Sequence, residues 1–348
     1  MIHKNSKYLI IGAGLSGLSA GYVLREAGES SFQILESRDR LGGRIFTKDA
    51  IDFGAVWFQN HHETILGLLN TLGIQKFSQY SKGKSVLVYN TMAPAHEFET
   101  DPNAPSAYRI AGGTKALIKG LAANISENIH LNTSVSEIVK TSNGVRVVTN
   151  QGTYKAEKVL ICMPPRIATK ILYTPRLPET LVTTMNATHT WMSNAIKVGM
   201  SFKTPFWREN GYSGTLIGQV GAVTELYDHT SSENKNFALM GFVNEGLREL
   251  SPKHRKEKIL AYIATFLGKE IYEYDTYEEK DWSQDRHTSC EQLHSVYLSP
   301  QYGKPEFDQF YMDGALFFAG TETATVYGGY MDGALRSGIL AAQKILKD

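Results

Sequence analysis

The chain has 348 residues, enough for two domains, and 42% of them are hydrophobic, as in ordinary globular proteins. Lys and Arg number 36 against 35 Asp and Glu, so no basic field favours nucleic acid or an anionic membrane as the main partner. Two cysteines give no disulfide framework, the first residues are polar, and no apolar run reaches the length of a spanning helix. We therefore expect a soluble, cytoplasmic protein.

The first predicted elements are a strand, a tight turn and a helix. The apolar run 8–11 is followed by the glycines of a GxGxxG motif, Gly12, Gly14 and Gly17. The first glycine allows the turn, the second lets the backbone approach a pyrophosphate, and the third lets the helix pack on the strand. The helix would begin near Leu15 and Ser16, point free N–H groups at the phosphates and end at Gly28.

A second predicted strand, 32–35, ends in Glu36, about 20 residues past the glycines. A carboxylate at this position is expected to meet a ribose 2′-OH, which favours FAD or NAD over NADP. The glycines alone would also fit any Gly-rich turn between a strand and a helix. With the second strand and Glu36, the unit predicts a dinucleotide site.

Two further segments have the composition of ligand-facing loops. The loop after Glu36 contains Gly42, Gly43 and Arg44, which suits close approach to a ligand and a phosphate contact; a surface turn with a solvated Arg is the alternative. The stretch 52–58 places small residues before aromatic ones, as expected for backbone lying against a flat ring.

These segments together resemble the opening of the flavin-dependent amine oxidases, the monoamine and polyamine oxidase family of flavin-containing amine oxidoreductases. The resemblance implies that the glycines and Glu36 hold the ADP part of FAD, and that Arg44 contacts the pyrophosphate or flavin side. It also implies that the backbone of Gly54, Ala55 and Val56 runs beside the flavin. We identify the chain as a short member of that family.

The next segments are less specific. Apolar spacing predicts a helix over 61–72 ending at Gly73, with His61 and His62 as a solvated or cap-region feature rather than a metal pair. Residues 81–108 are polar and predict a strand with loops. The family has a large helical insertion over the substrate cavity here, so we expect a reduced substrate domain with a shallower or more open cavity, or a lid from a partner chain.

A helix over 115–125 and strands over 130–139, 145–149 and 153–162 are expected next, with Cys162 as a buried apolar residue. The resemblance implies that backbone near Val135 meets the adenine.

The segment 191–202 carries the main prediction about chemistry. As a strand, it places Ile196 and Val198 on one face and Lys197 among small residues on the other. From the residues alone, a solvent-exposed face is the favoured reading. The resemblance favours the opposite interpretation, in which Lys197 projects into a cavity. The corresponding family segment has a lysine that holds a water against the flavin and is thought to assist reoxidation by oxygen.

Residues 212–243 predict successive strands, and Ser251 and Pro252 predict the cap and first turn of a helix that ends at Gly268. By resemblance, Trp282 lies beside the flavin. The cysteine that binds FAD covalently in some members falls one position away from Cys290 in this chain. Glu291 and Gln292 occupy the positions of that cysteine and of one tyrosine of the aromatic cage, so we expect non-covalent FAD and an incomplete cage.

The C-terminal segment is the second strong match. A buried strand at 316–319 is followed by the small-residue turn Gly320–Ala324 and by a helix that opens after Gly328. Such a helix N-terminus would stabilise negative charge on the reduced flavin. Tyr330 falls where the family has its second cage tyrosine.

We thus predict the catalytic residues Lys197, Tyr330 and Trp282, and no metal ligands. The predicted FAD-binding residues are Gly12, Gly14, Leu15, Ser16, Gly17, Glu36, Ser37, Arg38, Gly42, Gly43, Arg44, Gly54, Ala55, Val56, Trp57, Val135, Trp282, Gly320, Thr321, Glu322, Gly329, Tyr330, Met331 and Ala334.

The predicted fold is α/β: a discontinuous, Rossmann-like FAD-binding domain of GR2 type (1–77, 106–185 and 285–348) and a smaller, mainly β substrate domain (78–105 and 186–284). The predicted function is FAD-dependent oxidation of an amine to an imine, with O2 as acceptor and H2O2 as product. The substrate is unidentified, although Arg208 and Arg286 could meet a carboxylate.

Three alternatives remain: an FAD-dependent dehydrogenase or desaturase acting on a hydrophobic non-amine, a non-catalytic FAD-binding protein, and an NAD-dependent dehydrogenase. The C-terminal match argues against the last of these. The sequence gives no indication of oligomeric state.

Overall fold

The computed structural model describes residues 2–101, 103–289 and 301–347. The strands are, in chain order, β1 (Ile2–Ile11), β2 (Phe32–Leu35), β3 (Thr47–Lys48), β4 (Ile51–Asp52), β5 (Lys76–Ser78), β6 (Lys84–Val88), β7 (His96–Glu99), β8 (Tyr108–Ile110), β9 (Ile129–His130), β10 (Val135–Thr141), β11 (Gly144–Thr149), β12 (Gly152–Ile161), β13 (Leu172–Thr174), β14 (Ile196–Phe202), β15 (Tyr212–Gly218), β16 (Val223–Asp228), β17 (Phe237–Val243), β18 (Thr276–Asp281) and β19 (Leu316–Phe318). The helices are α1 (Leu15–Glu26), α2 (Glu63–Thr71), α3 (Lys115–Ala122), α4 (Pro165–Ala168), α5 (Glu179–Ala187), α6 (Phe206–Glu209), α7 (Pro252–Leu267) and α8 (Met331–Lys347).

The first sheet has the strand order β13-β10-β11-β12-β1-β2-β9, and β19 pairs with the end of β12. β1 runs parallel to β2 on one side and to β12 on the other. β12 pairs antiparallel with β11 through its first half and parallel with β19 through its last three residues. The carboxyl ends of β1, β2 and β19 therefore meet at one edge, which is where open α/β sheets bind ligands.

Helices α1 and α8 pack against each other on one face of this sheet. A Cβ on Gly338 of α8 would lie 2.1 Å from the carbonyl oxygen of Ser16, so the two backbones touch at this point. Leu18, Leu24 and Leu335 are fully buried in the same core. No helix in the described part of the chain is long and apolar enough to cross a membrane.

The second sheet has the order β18-β14-β17-β16-β15-β6-β7 and is antiparallel except where β6 meets β15. One face, which includes Val198 and Met200, packs on the apolar side of α7. The other face approaches strand β4 and the residues after it, because a Cβ on Gly199 would lie 2.8 Å from the ring of Phe53. Helix α7 has the predicted ends: the Ser251 side chain accepts a hydrogen bond from the backbone N–H of His254, and Gly268 follows the last turn.

The structure corrects the predicted strand over 130–139. β9 pairs with β2 and ends at His130, and β10 begins only at Val135. The residues between them leave the ladder because the N–H groups of Asn132 and Thr133 donate to the carbonyls of Arg38 and Glu36.

The prediction for His62 was right in position and wrong in exposure. His62 is the residue before α2, as expected for a cap region. Its side chain is buried, however, with its ring centroid 4.7 Å from that of Tyr327 and 5.1 Å from that of Tyr330.

Candidate active site

A cavity of about 920 Å³ extends from the carboxyl edge of the first sheet to the second sheet. Its far end is formed by Lys197 of β14, Glu225 of β16 and Phe242 of β17. All the predicted site residues line this cavity except Gly17. One continuous cavity thus joins the predicted dinucleotide motif to the predicted catalytic residues.

The glycine motif forms the first end of the cavity. Gly12 has a φ of +106°, and a Cβ there would lie 2.5 Å from the carbonyl oxygen of Cys162. A Cβ on Gly17 would lie 1.9 Å from the carbonyl oxygen of Gly12, so Gly17 serves helix–strand packing behind the cavity. Gly14 faces open space, with no atom within 4 Å of such a Cβ. The first turn of α1 has no side-chain cap, so its N–H groups can bind an anion.

Glu36 follows β2 and is buried beside this turn. Its Oε2 accepts a hydrogen bond of 2.9 Å from the backbone N–H of Ala13, and its Oε1 accepts one of 2.9 Å from that of Arg38. These two donors fix the carboxylate at the cavity wall. The Arg38 guanidinium donates to Asp285 Oδ1 at 2.6 Å, so this side chain is already paired.

The loop with the glycine pair crosses the first turn closely. Gly42 forms an isolated parallel bridge with Gly14, and a Cβ on Gly43 would lie 3.3 Å from the Cα of Gly14. Arg44 then reaches across the cavity wall to Glu322, with two guanidinium–carboxylate hydrogen bonds of 2.6 and 2.9 Å. This bidentate pair connects the N-terminal and C-terminal segments of the site.

The C-terminal segment brings a second helix N-terminus to the cavity. Residues 320–322 line the cavity, and Gly320 N donates to Ser337 Oγ while Thr321 Oγ1 donates to the carbonyl of Tyr330. These bonds hold the turn against the start of α8. Gly329, Tyr330, Met331 and Ala334 also line the cavity, so the first turn of α8 is directed at its contents.

Lys197 is buried, with 4% of its surface exposed. Its Nζ donates to the carbonyl oxygen of Gly54 at 2.7 Å and to that of Asp52 at 3.4 Å, and lies 4.7 Å from the ring centroid of Phe242. Burial lowers the pKa of Lys197 to about 7. The interpretation of this strand face as solvent-exposed is therefore wrong, and Lys197 points into the cavity.

A buried polar cluster behind the cavity fixes the carbonyls that hold Lys197. The carboxylate of Asp52 accepts hydrogen bonds from the N–H and hydroxyl of Thr114, and the Asp52 backbone N–H donates to His229 Nε2 at 3.1 Å. Arg109 in turn donates to the carbonyls of His229 and Thr230. Burial lowers the pKa of His229 to about 4, so the imidazole is neutral and can accept this bond.

Trp282 and Tyr330 both line the cavity, and they differ in exposure. Trp282 is buried, and its indole N–H donates to the carbonyl of Phe53 at 2.8 Å. Tyr330 has 54% of its surface exposed and lies against the ring of His62. Tyr330 thus stands where the cavity meets solvent. Cys290, Glu291 and Gln292 lie outside the described residues.

Several cavity residues were not anticipated from the sequence, chiefly Glu225, Phe242, Trp191 and Met192. Strand register places the first two, and no local motif marks it. Arg208 does not line the cavity, because its Nε pairs with the buried carboxylate of Asp228 at 2.6 Å. Arg286 lines the cavity beside Ser37 and His287, at the end that carries Glu36. Burial raises the pKa of Cys162 to about 12, so this thiol is inert.

The donor set of the cavity fits FAD. The first end offers an uncapped helix N-terminus, an oriented carboxylate and the buried Ser16 hydroxyl, which has no hydrogen-bond partner in the described part of the chain. These groups suit a pyrophosphate and a ribose. The other end offers the apolar and aromatic walls and the second helix N-terminus that a flavin ring requires.

Comparison with known proteins gives the family. The family described as flavin-containing amine oxidoreductase matches residues 15–91 and 78–346. A probable flavin-containing monoamine oxidase A of Dictyostelium discoideum is 26% identical, with 97% of this chain and 96% of that protein aligned. Human flavin-containing amine oxidase B is 27% identical, with 97% of this chain and 85% of that protein aligned.

Solved structures give the same fold. Wild-type putrescine oxidase bound to putrescine superposes with a TM-score of 0.86 over the full length of both chains, at 22% identity. Cyclohexylamine oxidase from Brevibacterium oxydans has a TM-score of 0.85 at 20% identity, covering 98% of this chain and 99% of that one. The predicted α/β fold, with an FAD domain and a substrate domain, is confirmed. The chain belongs to the flavin-containing amine oxidoreductase family, and its cofactor is FAD.

Proposed function

We propose that this enzyme oxidises a C–N bond of an amine to an imine, that O2 accepts the electrons and that H2O2 is released. The observation that carries the proposal is the position of Lys197, buried at the opposite end of the cavity from Gly14 and Glu36. Trp282 and Tyr330 line the same cavity and complete the predicted catalytic set.

The residues that line the cavity can be assigned to different parts of FAD. We assign the first turn of α1 and Ser16 to the pyrophosphate, Glu36 to the ribose and Val135 to the adenine. The backbone at Gly54–Trp57 and the start of α8 would contact the flavin. When bound, FAD supplies the acceptor for the hydride equivalent that leaves the α-carbon of the amine.

The substrate end would position the amine. Trp57 and Phe242 give the cavity aromatic walls, and Tyr330 would flank the reacting amine. The amine would bind with a free lone pair, so its oxidation needs no strong base from the protein. Lys197 would act after the amine is oxidised, beside the oxygen that reoxidises the cofactor, because its Nζ is held by the backbone that borders the flavin position.

The domain division is likewise a proposal. The strands of the first sheet lie within 1–77, 106–185 and 285–348, and those of the second sheet lie within 78–105 and 186–284. This distribution supports an FAD-binding domain and a substrate domain with those bounds.

The proposal is tested with the purified, FAD-loaded protein. We expect a yellow protein that releases H2O2 in air when primary, secondary or polyamines are added. A yellow protein that yields no H2O2 with any of these classes would contradict the proposed reaction. A protein that takes up no FAD would contradict the assignment of the cavity.

Two finer expectations also stay proposals. FAD should be non-covalent, so acid denaturation should leave all the flavin in the supernatant; flavin that precipitates with the protein would contradict this and point to Cys290. A cytoplasmic location is the second, and cell fractionation tests it.

A further inference from the structure

One carboxylate in the cavity forms no ion pair with any basic side chain that the structure describes. Three acidic side chains line the cavity: Glu36, Glu225 and Glu322. Glu322 pairs with Arg44, and Glu36 accepts two backbone hydrogen bonds. Glu225 forms no ion pair within residues 2–101, 103–289 and 301–347, where the hydrogen bond to its carboxylate comes from Tyr227 Oη at 3.1 Å. Glu225 therefore has capacity for a cation from outside the protein.

Strand register places Glu225 in line with Lys197. Lys197 of β14 pairs with Phe242 of β17, and Phe242 pairs with Glu225 of β16. Residues paired directly across a sheet point to the same face, and neighbouring strands are about 4.8 Å apart. The Cα atoms of Glu225 and Lys197 are thus separated by two strand spacings, roughly 10 Å. A small molecule at the Lys197 end can reach the Glu225 carboxylate.

Aromatic rings lie beside both of these residues. Tyr227 lies two residues after Glu225 on the same strand and meets Trp57 edge to face, with ring centroids 4.9 Å apart. Phe242 lies between Glu225 and Lys197 in the row of residues that pair directly across β14, β17 and β16. Burial raises the pKa of Tyr227, so its hydroxyl keeps the proton that it donates to Glu225. A carboxylate of fixed orientation among aromatic faces is a recognition site for an ammonium group.

The Glu225 carboxylate raises the pKa of Lys197 from a distance, against the larger effect of burial, but the two side chains form no ion pair in the described part of the chain. The hydrogen bonds of Lys197 go to the carbonyls of Gly54 and Asp52, on the side of the predicted flavin position. The ammonium of Lys197 is moreover only partly populated near neutral pH, because burial lowers its pKa to about 7. The substrate is the available source of a second positive charge.

We propose that Glu225 binds a second, protonated amino group of the substrate, so that the enzyme prefers α,ω-diamines to monoamines. This inference rests on the proposed amine oxidation, because one amino group of the diamine is the one that reacts. That nitrogen must be neutral, whereas the distal nitrogen keeps its proton and pairs with Glu225.

A monoamine of the same length would fill the cavity without this pair. The alkyl end of the monoamine would then lie against the Glu225 carboxylate and partly desolvate it without offering a positive charge. A binding site with a buried polar group discriminates strongly against a substrate analogue that lacks the matching group, since the buried group of the protein is then unpaired. We expect kcat/KM for 1,4-diaminobutane to exceed that for butylamine by at least about tenfold in the wild-type enzyme.

The variant that tests Glu225 is Glu225→Gln, which keeps the side-chain shape and removes the charge. We expect kcat/KM for 1,4-diaminobutane to fall by about tenfold or more, mainly through KM, because the lost contact is made equally in the ground and transition states. Activity on butylamine should stay within about twofold or rise. Glu249→Gln, an exposed change on the loop before α7, is the matched control and should alter neither substrate.

The outcomes separate this inference from the proposed function. If neither amine reduces the flavin, amine oxidation itself fails. If both amines are oxidised by the wild-type enzyme with similar kcat/KM, or if Glu225→Gln lowers both equally, amine oxidation stands and the diamine preference is wrong. Should Glu225→Gln fold poorly, the comparison of the two substrates on the wild-type enzyme still decides.

A second variant tests the position of the charge. Glu225→Asp keeps the carboxylate but withdraws it toward β16. The preferred diamine should then lengthen, so that 1,5-diaminopentane gains on 1,4-diaminobutane relative to the wild-type enzyme. An unchanged order of the diamines would contradict direct contact between Glu225 and the distal amino group.

Discussion

Lys197 illustrates which properties of a residue its sequence neighbours can predict. Alternation along 196–202 predicts that Lys197 and Val198 point to opposite faces, and they do: Val198 packs in the core with α7, whereas Lys197 donates to the carbonyl of Gly54. The burial of Lys197 could not be predicted this way, because the carbonyls of Asp52 and Gly54 that cover it lie about 145 residues earlier in the chain. Only the family resemblance suggested a buried lysine.

The first prediction concerns Lys197→Met, which keeps the length of the side chain and removes its nitrogen. Loss of one positioned donor typically lowers a catalytic rate by about 10²-fold. We expect this loss in flavin reoxidation by O2, and a much smaller change in anaerobic reduction by amine. Stopped-flow absorbance measures the two half-reactions separately.

The pH dependence follows from the pKa of about 7 for Lys197. The ammonium fraction falls as pH rises through this value, so a reoxidation step aided by the ammonium slows over the same range. Lys197→Met should abolish this dependence, whereas the exposed variant Lys203→Met should retain it. Equal rates of reoxidation in the wild-type and Lys197→Met enzymes would remove the assigned role.

Glu36 carries the second prediction. Its carboxylate is held by the N–H groups of Ala13 and Arg38, and it is assigned to the ribose. Because hydrogen bonds to charged groups are stronger than neutral ones, Glu36→Gln should weaken FAD binding by about tenfold. Fluorescence titration of the apoprotein with FAD measures this. Glu157→Gln, on the exposed side of β12, should bind FAD like the wild-type protein, and equal affinities in all three would contradict the assignment.

Among the elements, helices with clear end signals were the most predictable. Ser251, Pro252 and Gly268 predicted both ends of α7. The boundary between β9 and β10 was missed, because Asn132 and Thr133 leave the sheet to bond with Arg38 and Glu36, which are distant in sequence. The place of Glu225 in the cavity was missed for a similar reason: it depends on which residues of β16 and β17 pair, and the register shifts between Val223 and Glu225.

Contact between elements gives the third prediction. A Cβ on Gly338 would lie 2.1 Å from the Ser16 carbonyl, so Gly338→Ala should push α8 away from α1 and destabilise the protein by about 1–3 kcal/mol. Gly67→Ala on α2 is the matched control, because its Cβ would meet nothing within 4 Å. That change should stabilise the protein by roughly 0.5–1 kcal/mol, since alanine suits a helix better than glycine.

Urea unfolding of the apoproteins measures both changes. Gly338→Ala should lower the midpoint and Gly67→Ala should raise it. Because Ser16 lies in the first turn of α1, Gly338→Ala should also weaken FAD binding. A Gly338→Ala protein as stable as the wild type would show that α1 and α8 can separate at no cost.

At the scale of the whole molecule, the two sheets give the cavity two different ends. The first sheet supplies the glycine turn and Glu36, and the second supplies Lys197, Phe242 and Glu225. The family insertion was expected to be missing from segment 78–105. In the described residues of this segment, the chain completes β5 and forms β6 and β7 at the border of the second sheet. The two family matches meet in this region, at 78–91.

Alignment with a relative also indicates that this chain lacks segments that the relative contains. The alignment with the Dictyostelium protein spans 450 positions for the 348 residues of this chain, so that protein has segments without a counterpart here. A cavity of about 920 Å³ is nevertheless present, and Tyr330 stands partly exposed at its solvent side. The expectation of a more open cavity, or of a lid from a partner chain, stays a prediction.

The central claim is that electrons pass from an amine to FAD bound in this cavity and then to O2. Anaerobic mixing of the FAD-loaded protein with 1,4-diaminobutane tests it most directly, with flavin absorbance recorded over time. We predict bleaching of the flavin band, release of one carbonyl product per flavin after hydrolysis of the imine, and return of the band with H2O2 when air is admitted. A flavin band that stays oxidised under excess diamine and excess monoamine would contradict the account.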